Sequence, residues 1–248
     1  MKSILITGAA SGIGAAIVKK IASQNMYLTL TTKSNNKGLE EVVEYAKQKG
    51  SIVSFLSGDL SNKEFIKDLI ILARKHTGSI DQFVSNAGYA EKKKFGEFTC
   101  SDLIKSIETM ALSFSEIINI CIDDFKNSSC GRIVSVSSFV NKNIGLNNNI
   151  FPTTAAAKSA LEALTKTLAF QLAEYQVTVN SVSPGYTKKD GKHSALTDQE
   201  WEEIIKKIPL NRLAKPEDSA NLISFLLSDE ASYITGQIIK IDGGLSLI

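Results

Sequence analysis

The stretch Thr7-Gly8-Ala9-Ala10-Ser11-Gly12-Ile13-Gly14 follows a short apolar run and opens an amphipathic segment. In this strand–turn–helix context each glycine has a separate role. Gly8 permits the tight turn, Gly12 lets the backbone approach a pyrophosphate, and Gly14 allows the helix to pack closely on the strand. The free N–H groups and the positive dipole of the helix N-terminus favour phosphate. The stretch therefore predicts a dinucleotide-binding turn.

Beyond that turn, short β-branched or apolar runs alternate with longer amphipathic segments along the whole chain. Near-continuous apolar runs are typical of parallel strands that are covered on both faces. The pattern predicts an α/β fold, a doubly wound parallel sheet (Rossmann fold) of roughly seven strands with helices on both faces. The predicted strands are Ser3–Thr7, Tyr27–Thr32, Ile52–Leu56, Gln82–Ser85, Arg132–Val136, Thr178–Val182 and Gln237–Ile241. The predicted helices are Ile13–Gln24, Leu39–Lys49, Lys63–Lys75, Asp102–Phe125, Thr154–Ala173 and Pro216–Leu227.

Two segments depart from this alternation. Phe139–Pro152 is rich in Asn and predicts a loop, and Tyr186–Pro209 is long and polar, with a short helical piece around Trp201. Long loops at the carboxyl edge of such a sheet usually border the ligand site. Because no Pro/Gly/Ser-rich linker divides the chain, we expect residues 1–248 to form a single NAD(P)-binding Rossmann domain. Within it we expect a mobile substrate loop at about 186–209.

The composition bounds the class of protein and its partners. Apolar residues make up 43% and charged residues 22%, which is ordinary for a globular protein, and a net charge of +2 indicates neither nucleic acid nor a membrane surface as partner. Cys100, Cys121 and Cys130 lack metal-ligand spacing, so we expect reduced thiols and no metal site. Met1-Lys2 leads directly into a strand pattern, and no apolar run is long enough to span a membrane. We therefore expect a cytoplasmic protein.

Further motifs stand at the ends of the predicted strands. Asp59-Leu60 follows the third strand, Asn86-Ala87-Gly88 the fourth and Pro184-Gly185 the sixth. Together with the glycine turn they resemble the motifs of the short-chain dehydrogenase/reductase family, and the resemblance covers the whole chain. In length and in its C-terminal motifs the chain is most similar to the bacterial 3-oxoacyl-carrier-protein reductases. Those motifs are Ile208-Pro209-Leu210-x-Arg212, Pro216-Glu217-Asp218, Phe225-Leu226-Leu227-Ser228, Ile234-Thr235-Gly236-Gln237 and Asp242-Gly243-Gly244.

The resemblance implies a nicotinamide dinucleotide along the carboxyl edge of the sheet. At the end of the second strand an Asp or Glu would hydrogen-bond the ribose hydroxyl of NAD and repel an added phosphate. This chain carries Thr32-Lys33-Ser34 there, a cation between two hydroxyls, which favours the 2′-phosphate of NADP over NAD. The candidate cofactor-binding residues are Gly8, Ser11, Gly12, Ile13, Gly14, Lys33, Ser34, Asp59, Leu60, Asn86, Ala87, Gly88, Lys158, Pro184 and Gly185.

The resemblance also implies four active positions. In the family a Ser polarises the substrate carbonyl and a Tyr delivers the proton as hydride arrives. A Lys four residues later holds the nicotinamide ribose and lowers the pKa of the Tyr, and an Asn in the preceding long helix completes a proton path. Ser138 and Lys158 match the Ser and the Lys, whereas Thr154 stands at the Tyr position and Ala111 at the Asn position.

The substitution of Thr154 bears on activity. An aliphatic alcohol is a far weaker acid than a phenol, whose pKa starts near ~10. A positioned acid contributes about 10²–10⁴ in rate. We therefore expect reduction of carbonyl compounds by the usual Ser-Tyr-Lys mechanism to be weak or absent.

Three interpretations stay open. The chain is an impaired 3-oxoacyl-carrier-protein reductase or a non-catalytic partner subunit of a hetero-oligomer with an active homologue. Alternatively, it is an oxidoreductase with a relocated acid such as His193 or Tyr186, with Tyr89 as a further candidate. A lyase, isomerase or dehydratase activity has no positive support in the sequence. We expect a small-molecule or carrier-protein-bound carbonyl substrate if the chain is active, and a homo- or hetero-oligomer through the helices near 102–125 and 154–173.

Overall fold

In the computed structural model, which describes residues 1–145, 149–187 and 197–247, seven strands form one sheet. Every neighbouring pair is parallel, and the spatial order is β3-β2-β1-β4-β5-β6-β7. This confirms the predicted doubly wound architecture. The strands are β1 (Lys2–Thr7), β2 (Met26–Thr32), β3 (Ile52–Ser57), β4 (Gln82–Ser85), β5 (Arg132–Val136), β6 (Thr178–Pro184) and β7 (Ile238–Ile241).

The strand order reverses between β1 and β4. The chain runs outward through β2 and β3, then returns to place β4 on the other side of β1, where Leu5 stands in register with Phe83. The loops that leave β1 and β4 therefore diverge at the carboxyl edge. Such a switch point opens a crevice for ligands, which is where the candidate site residues were expected.

The helices cover both faces of the sheet. Ile4 and Ile6 point into one core with helices α1, α2 and α8, whereas Leu5, between them, points into a second core with α3, α5 and α6. The two-residue period of a strand produces this division, and burial on both faces explains why the strand segments are almost continuously apolar. The helices are α1 (Gly12–Ile21), α2 (Asn36–Gln48), α3 (Lys63–Arg74), α4 (Cys100–Ile107), α5 (Ser113–Asn127), α6 (Pro152–Leu172), α7 (Asp198–Lys207) and α8 (Pro216–Leu226).

The long helix predicted over 102–125 is two helices joined by a π turn, Glu108–Leu112. Its start is a capping box, because the Thr99 hydroxyl accepts from the Asp102 N–H and the Asp102 carboxylate accepts from the Thr99 N–H. A π turn adds a residue to the helical repeat and changes which side chains face the sheet. Periodicity alone could not reveal that change.

The two irregular segments contain local structure. Phe139–Asn141 forms a short 3₁₀ turn, and α6 begins at Pro152, two residues before the predicted start, because proline is favoured in the first helical turn. The helical piece expected around Trp201 is α7, which begins with a capping box between Thr197 and Glu200. The described helices include none long and apolar enough to cross a membrane.

Candidate active site

A cleft of about 1130 Å³ lies at the carboxyl edge of the sheet. Its walls are the loops that follow β1 to β6, together with the first turns of α6 and part of α7. Of the residues proposed from sequence, those that line it are Gly8, Ser11, Gly12, Ile13, Lys33, Asp59, Leu60, Asn86, Ala87, Gly88, Tyr89, Ser138, Thr154, Lys158, Pro184, Gly185 and Tyr186. The tertiary structure thus brings together residues that are up to 178 positions apart, from Gly8 to Tyr186.

The glycine turn has the geometry that a close backbone approach requires. Gly8 has a φ of +66°, and a Cβ on Gly8 would lie 2.9 Å from Ala87 Cα. A Cβ on Gly14 would lie 2.1 Å from the Gly8 carbonyl oxygen, so Gly14 packs behind the turn and outside the cleft. Gly12, with a φ of +52°, has none of the described residues within 4 Å of a Cβ position. The open side of the turn is therefore at Gly12, where helix α1 begins.

Asn86 holds the glycine turn against the neighbouring strand. Its side-chain amide donates to the carbonyl oxygens of Thr7 and Gly8 at 3.0 and 2.9 Å. In return, the Thr7 hydroxyl accepts from the N–H groups of Asn86 and Ala87. The Asn86 side chain therefore positions the turn, and the backbone of Asn86-Ala87-Gly88 is left to line the cleft.

Lys33 and Asp59 form an ion pair across the ends of β2 and β3. Burial of Asp59 tends to raise the pKa of its carboxyl, but hydrogen bonds from Lys33 and from the Ser61 N–H more than offset this and hold the pKa below its ordinary value. The Lys33 side chain stays 59% exposed and lines the cleft. Ser34, which was expected beside it, is exposed and lies outside the cleft lining, because the chain turns there towards the start of α2.

Lys158 is buried on the inner face of α6. Its Nζ donates to the Val136 carbonyl oxygen at 2.6 Å. Burial lowers the pKa of the ammonium group to about 8, since the charged form loses most of its hydration. A Cβ on Gly88 would lie 3.1 Å from Nζ, so any larger residue at position 88 would require this lysine to shift by a few tenths of an ångström.

Ser138 lines the cleft at the end of β5. Its Oγ accepts a long hydrogen bond, 3.4 Å, from the N–H of Val140 and so begins the short 3₁₀ turn. The preceding Ser137 donates to the buried carboxylate of Glu162 on α6 at 2.6 Å. Glu162 also pairs with Lys142 at 3.5 Å, and it ties the loop that carries Ser138 to α6. Sequence reasoning missed this carboxylate, whose only signal was its position four residues after Lys158.

Thr154 lines the cleft one helical turn before Lys158, but its hydroxyl is engaged elsewhere. Oγ1 accepts from the N–H of Glu91 at 3.1 Å and donates weakly to the carbonyl oxygen of Tyr89 at 3.5 Å. Thr154, the residue predicted to stand at the Tyr position, therefore fastens the loop between β4 and α4 to the start of α6.

Ala111 lies in the π turn, is buried, and is not among the residues that line the cleft. Its assignment to the Asn position stays a prediction. From this turn Thr109 lines the cleft, whereas Met110 packs against Gly88, where a Cβ would lie 3.2 Å from Met110 Sδ. Ala111 and Met110 cannot relay a proton, whereas Thr109 carries a hydroxyl. Sequence reasoning missed Thr109, because the extra residue of the π turn shifts the inward face of the helix.

The candidate replacement acids differ in their surroundings. The Tyr89 hydroxyl shares a hydrogen bond of 3.1 Å with Ser106. Tyr186 is buried between the rings of Phe139 and Trp201, at 4.5 and 5.8 Å. Burial raises the pKa of the Tyr186 phenol, and the Asn149 side chain offsets this only partly. His193 lies outside the described residues.

The comparisons with known proteins agree on one family. The family described as Enoyl-(Acyl carrier protein) reductase matches residues 8–246. A 3-oxoacyl-[acyl-carrier-protein] reductase FabG of Rickettsia felis is 35% identical over 251 residues, covering 100% of this chain and 98% of that protein. Glucose 1-dehydrogenase 2 of Bacillus subtilis is 29% identical, covering 99% of this chain and 95% of the relative.

Solved structures are similar over the same length. A Serratia marcescens short-chain dehydrogenase/reductase, solved as a double mutant, superposes with a TM-score of 0.90 at 27% identity and covers 99% of this chain and 98% of its own. YwfH, described as an NADPH dependent reductase involved in bacilysin biosynthesis, gives a TM-score of 0.86 at 26% identity and covers 98% of both chains.

Proposed function

This chain belongs to the short-chain dehydrogenase/reductase family, and on that premise we propose that it binds NADP(H) but reduces carbonyl compounds only weakly. It is an oxidoreductase of the reductase type by family, and the family binds a nicotinamide cofactor. Within this class of oxidoreductase, the proposal assigns the chain to the 3-oxoacyl-carrier-protein reductase type, with impaired delivery of the proton to the carbonyl oxygen. The observation that carries it is the engagement of the Thr154 hydroxyl with the backbone of Tyr89 and Glu91.

The residues at the glycine turn fit a dinucleotide. Space around Gly12 and the start of α1 would receive the pyrophosphate on backbone N–H groups. Lys158 would hold the nicotinamide ribose, and Asp59-Leu60 would contact the adenine, as in the family. The nicotinamide supplies hydride when the cofactor is bound.

The preference for NADP rests on charge at the end of β2. Lys33 is exposed on the cleft side and can turn from Asp59 to a 2′-phosphate. No carboxylate stands at residues 32–34 to repel that phosphate. The similarity to a structure described as an NADPH dependent reductase supports the same choice.

Proton delivery is the step that this chain supports poorly. The Ser138 hydroxyl can donate to a substrate carbonyl oxygen and polarise it. Thr154 offers an aliphatic alcohol whose oxygen is already engaged with the adjacent loop. The raised pKa makes the Tyr186 phenol a weaker acid than usual, which argues against Tyr186 as the relocated donor. Slow protonation, by solvent or by Lys158, would then limit turnover.

A role as a partner subunit is a second candidate, favoured by the surface of the described helices. Ile104 and Leu112 on α4 and the π turn are each 54% exposed, and Phe170 on α6 is 89% exposed. Exposed apolar side chains of this size favour association with a second subunit, either this chain or a homologue with the complete motif. Co-purification with such a homologue would support the hetero-oligomer, and a stable homo-oligomer indifferent to it would oppose it.

Two measurements test the main proposal. NADPH and NADH are titrated against the protein by nicotinamide fluorescence, and absence of binding by both would overturn the cofactor assignment. A ketoacyl thioester is then assayed with NADPH. Turnover at a rate ordinary for reductases would show that an efficient acid exists and that the weak-activity proposal is wrong.

A further inference from the structure

A second cavity of about 250 Å³, the side pocket, lies beside the cleft. Its lining comes from the β4–α4 loop, the segment after Ser138, the start of α6 and the residue after Gly185. The lining residues are Phe95, Phe139, Val140, Asn143, Ile144, Gly145, Asn149, Ile150, Phe151, Pro152, Ala155 and Tyr186.

Apolar groups dominate this lining. Among the described residues that form it, polar side-chain groups come only from Asn143, Asn149 and the hydroxyl of Tyr186. Tyr186 Oη is buried, and no described residue makes a hydrogen bond of ordinary geometry with it. A site of this kind gains free energy by taking apolar surface from water, and it offers few partners to a group with several hydroxyls.

The side pocket adjoins the part of the cleft that contains Ser138 and Thr154. Ser138 lines the cleft but not the side pocket. Four nearby residues line both cavities: Phe139, Val140, Phe151 and Tyr186. On α6, Thr154 faces the cleft and the adjacent Ala155 faces the side pocket. A carbonyl carbon held at Ser138 would therefore have one of its two substituents directed towards the side pocket.

We propose that the side pocket binds a compact apolar substituent of the carbonyl substrate, a single ring or a short branched chain. The inference rests on the proposed function and names its substrate class. An apolar cavity of about 150 Å³ is enough for benzene. The side pocket therefore has room for one ring with a small substituent, and the part of its lining formed by the described residues does not suit a sugar.

The sole tryptophan provides a readout that is independent of turnover. Trp201 lines the cleft and stands edge-on to Tyr186, whose ring belongs to both cavities. The probe is 1-cyclohexylethanol, the alcohol that a ketone of the proposed class would give, because it neither absorbs nor quenches tryptophan emission. We expect a saturable change in Trp201 emission with this alcohol and none with glucose.

Two matched variants locate the site. Ala155→Leu fills the side pocket, whereas Ala156→Leu makes the same change at an exposed neighbour that lines neither cavity. We expect Ala155→Leu to raise the Kd for 1-cyclohexylethanol at least about tenfold and Ala156→Leu to change it less than about twofold. Circular dichroism of both variants checks that the fold is retained.

The outcomes separate this inference from the proposed function. Equal Kd values of the two variants for 1-cyclohexylethanol, or no saturable change in the Trp201 emission of the wild type, would overturn the assignment of the side pocket. This holds whether or not the protein binds NADPH. Binding of the alcohol that depends on Ala155 supports the pocket. Absence of NADPH binding in the same preparation would overturn the proposed function instead.

Discussion

The hydroxyl oxygen of Thr154 accepts a hydrogen bond from the backbone N–H of Glu91 at 3.1 Å. Thr154 is buried and belongs to the first turn of α6, and Glu91 belongs to the loop after β4. The position expected to deliver a proton thus has a structural contact in this chain. Substitutions at this position should therefore affect both the acid step and the stability of the fold.

Restoring the phenol should restore proton delivery. Thr154→Tyr should raise kcat for ketone reduction with NADPH by about 10²-fold or more, because Ser138 and Lys158 already line the cleft. Thr154→Phe is the matched control, since it brings the same bulk without an acid, and it should leave kcat near the wild-type value. An equal gain in both variants would assign the effect to the displaced loop and not to the acid.

Removing the Thr154 hydroxyl should destabilise the fold. Thr154→Val leaves the Glu91 N–H without its partner and should lower the free energy of unfolding by about 1–3 kcal/mol, measured by urea denaturation. Thr153→Val is the control, because the adjacent Thr153 hydroxyl is buried without a hydrogen bond and its loss should cost little. A larger cost at Thr153 would contradict the structural role of Thr154.

The Lys33–Asp59 pair should set the choice between cofactors. Lys33→Ala should weaken NADPH binding about tenfold and leave NADH binding nearly unchanged, since only NADPH carries the 2′-phosphate. Asp59→Asn should strengthen NADPH binding, because it releases Lys33 from its ion pair and removes a negative charge near the 2′-phosphate. Lys47→Ala, on an exposed part of α2, is the control for net charge. Equal losses for both cofactors in Lys33→Ala would refute the assignment.

Burial of Lys158 should make stability depend on pH. The pKa falls from 10.5 to about 8 on folding, so between these values the unfolded chain binds more protons than the folded one. The free energy of unfolding therefore rises as the pH increases from about 8 to 10.5. Below this window it is lower than above it by up to about 3 kcal/mol. Lys158→Met should remove this part of the dependence. The check is urea denaturation of both proteins at several pH values from about 7 to 10; parallel curves would contradict the assignment.

The parts of the fold that depend on local pattern were predictable. Predicted strand segments of four to six residues correspond to strands within two residues at each end, and Gln82–Ser85 and Arg132–Val136 agree at both ends. The glycine turn was predictable because a tight turn between a strand and a helix requires positive φ values, which Gly8 and Gly12 adopt and which glycine favours. Thr99 and Asp102 were predictable for the same reason, since a capping box spans one helical turn.

Side-chain partners from distant segments were not predictable. Glu91 and Thr154 are 63 positions apart, and Lys33 and Asp59 are 26 apart, so nothing in either local pattern indicates the contact. Thr109 was hidden for another reason: a π turn changes which residue of the helix faces the cleft.

The sequence by itself determined the family and the doubly wound parallel sheet, and it predicted that Thr154 stands at the Tyr position. These follow from motifs and periodicities whose physical causes are local. Only the tertiary structure decided what that residue does, because the partner of a hydroxyl group depends on which backbone lies within about 3 Å after folding. It also decided where the side pocket lies, since a cavity exists only between elements that have already packed.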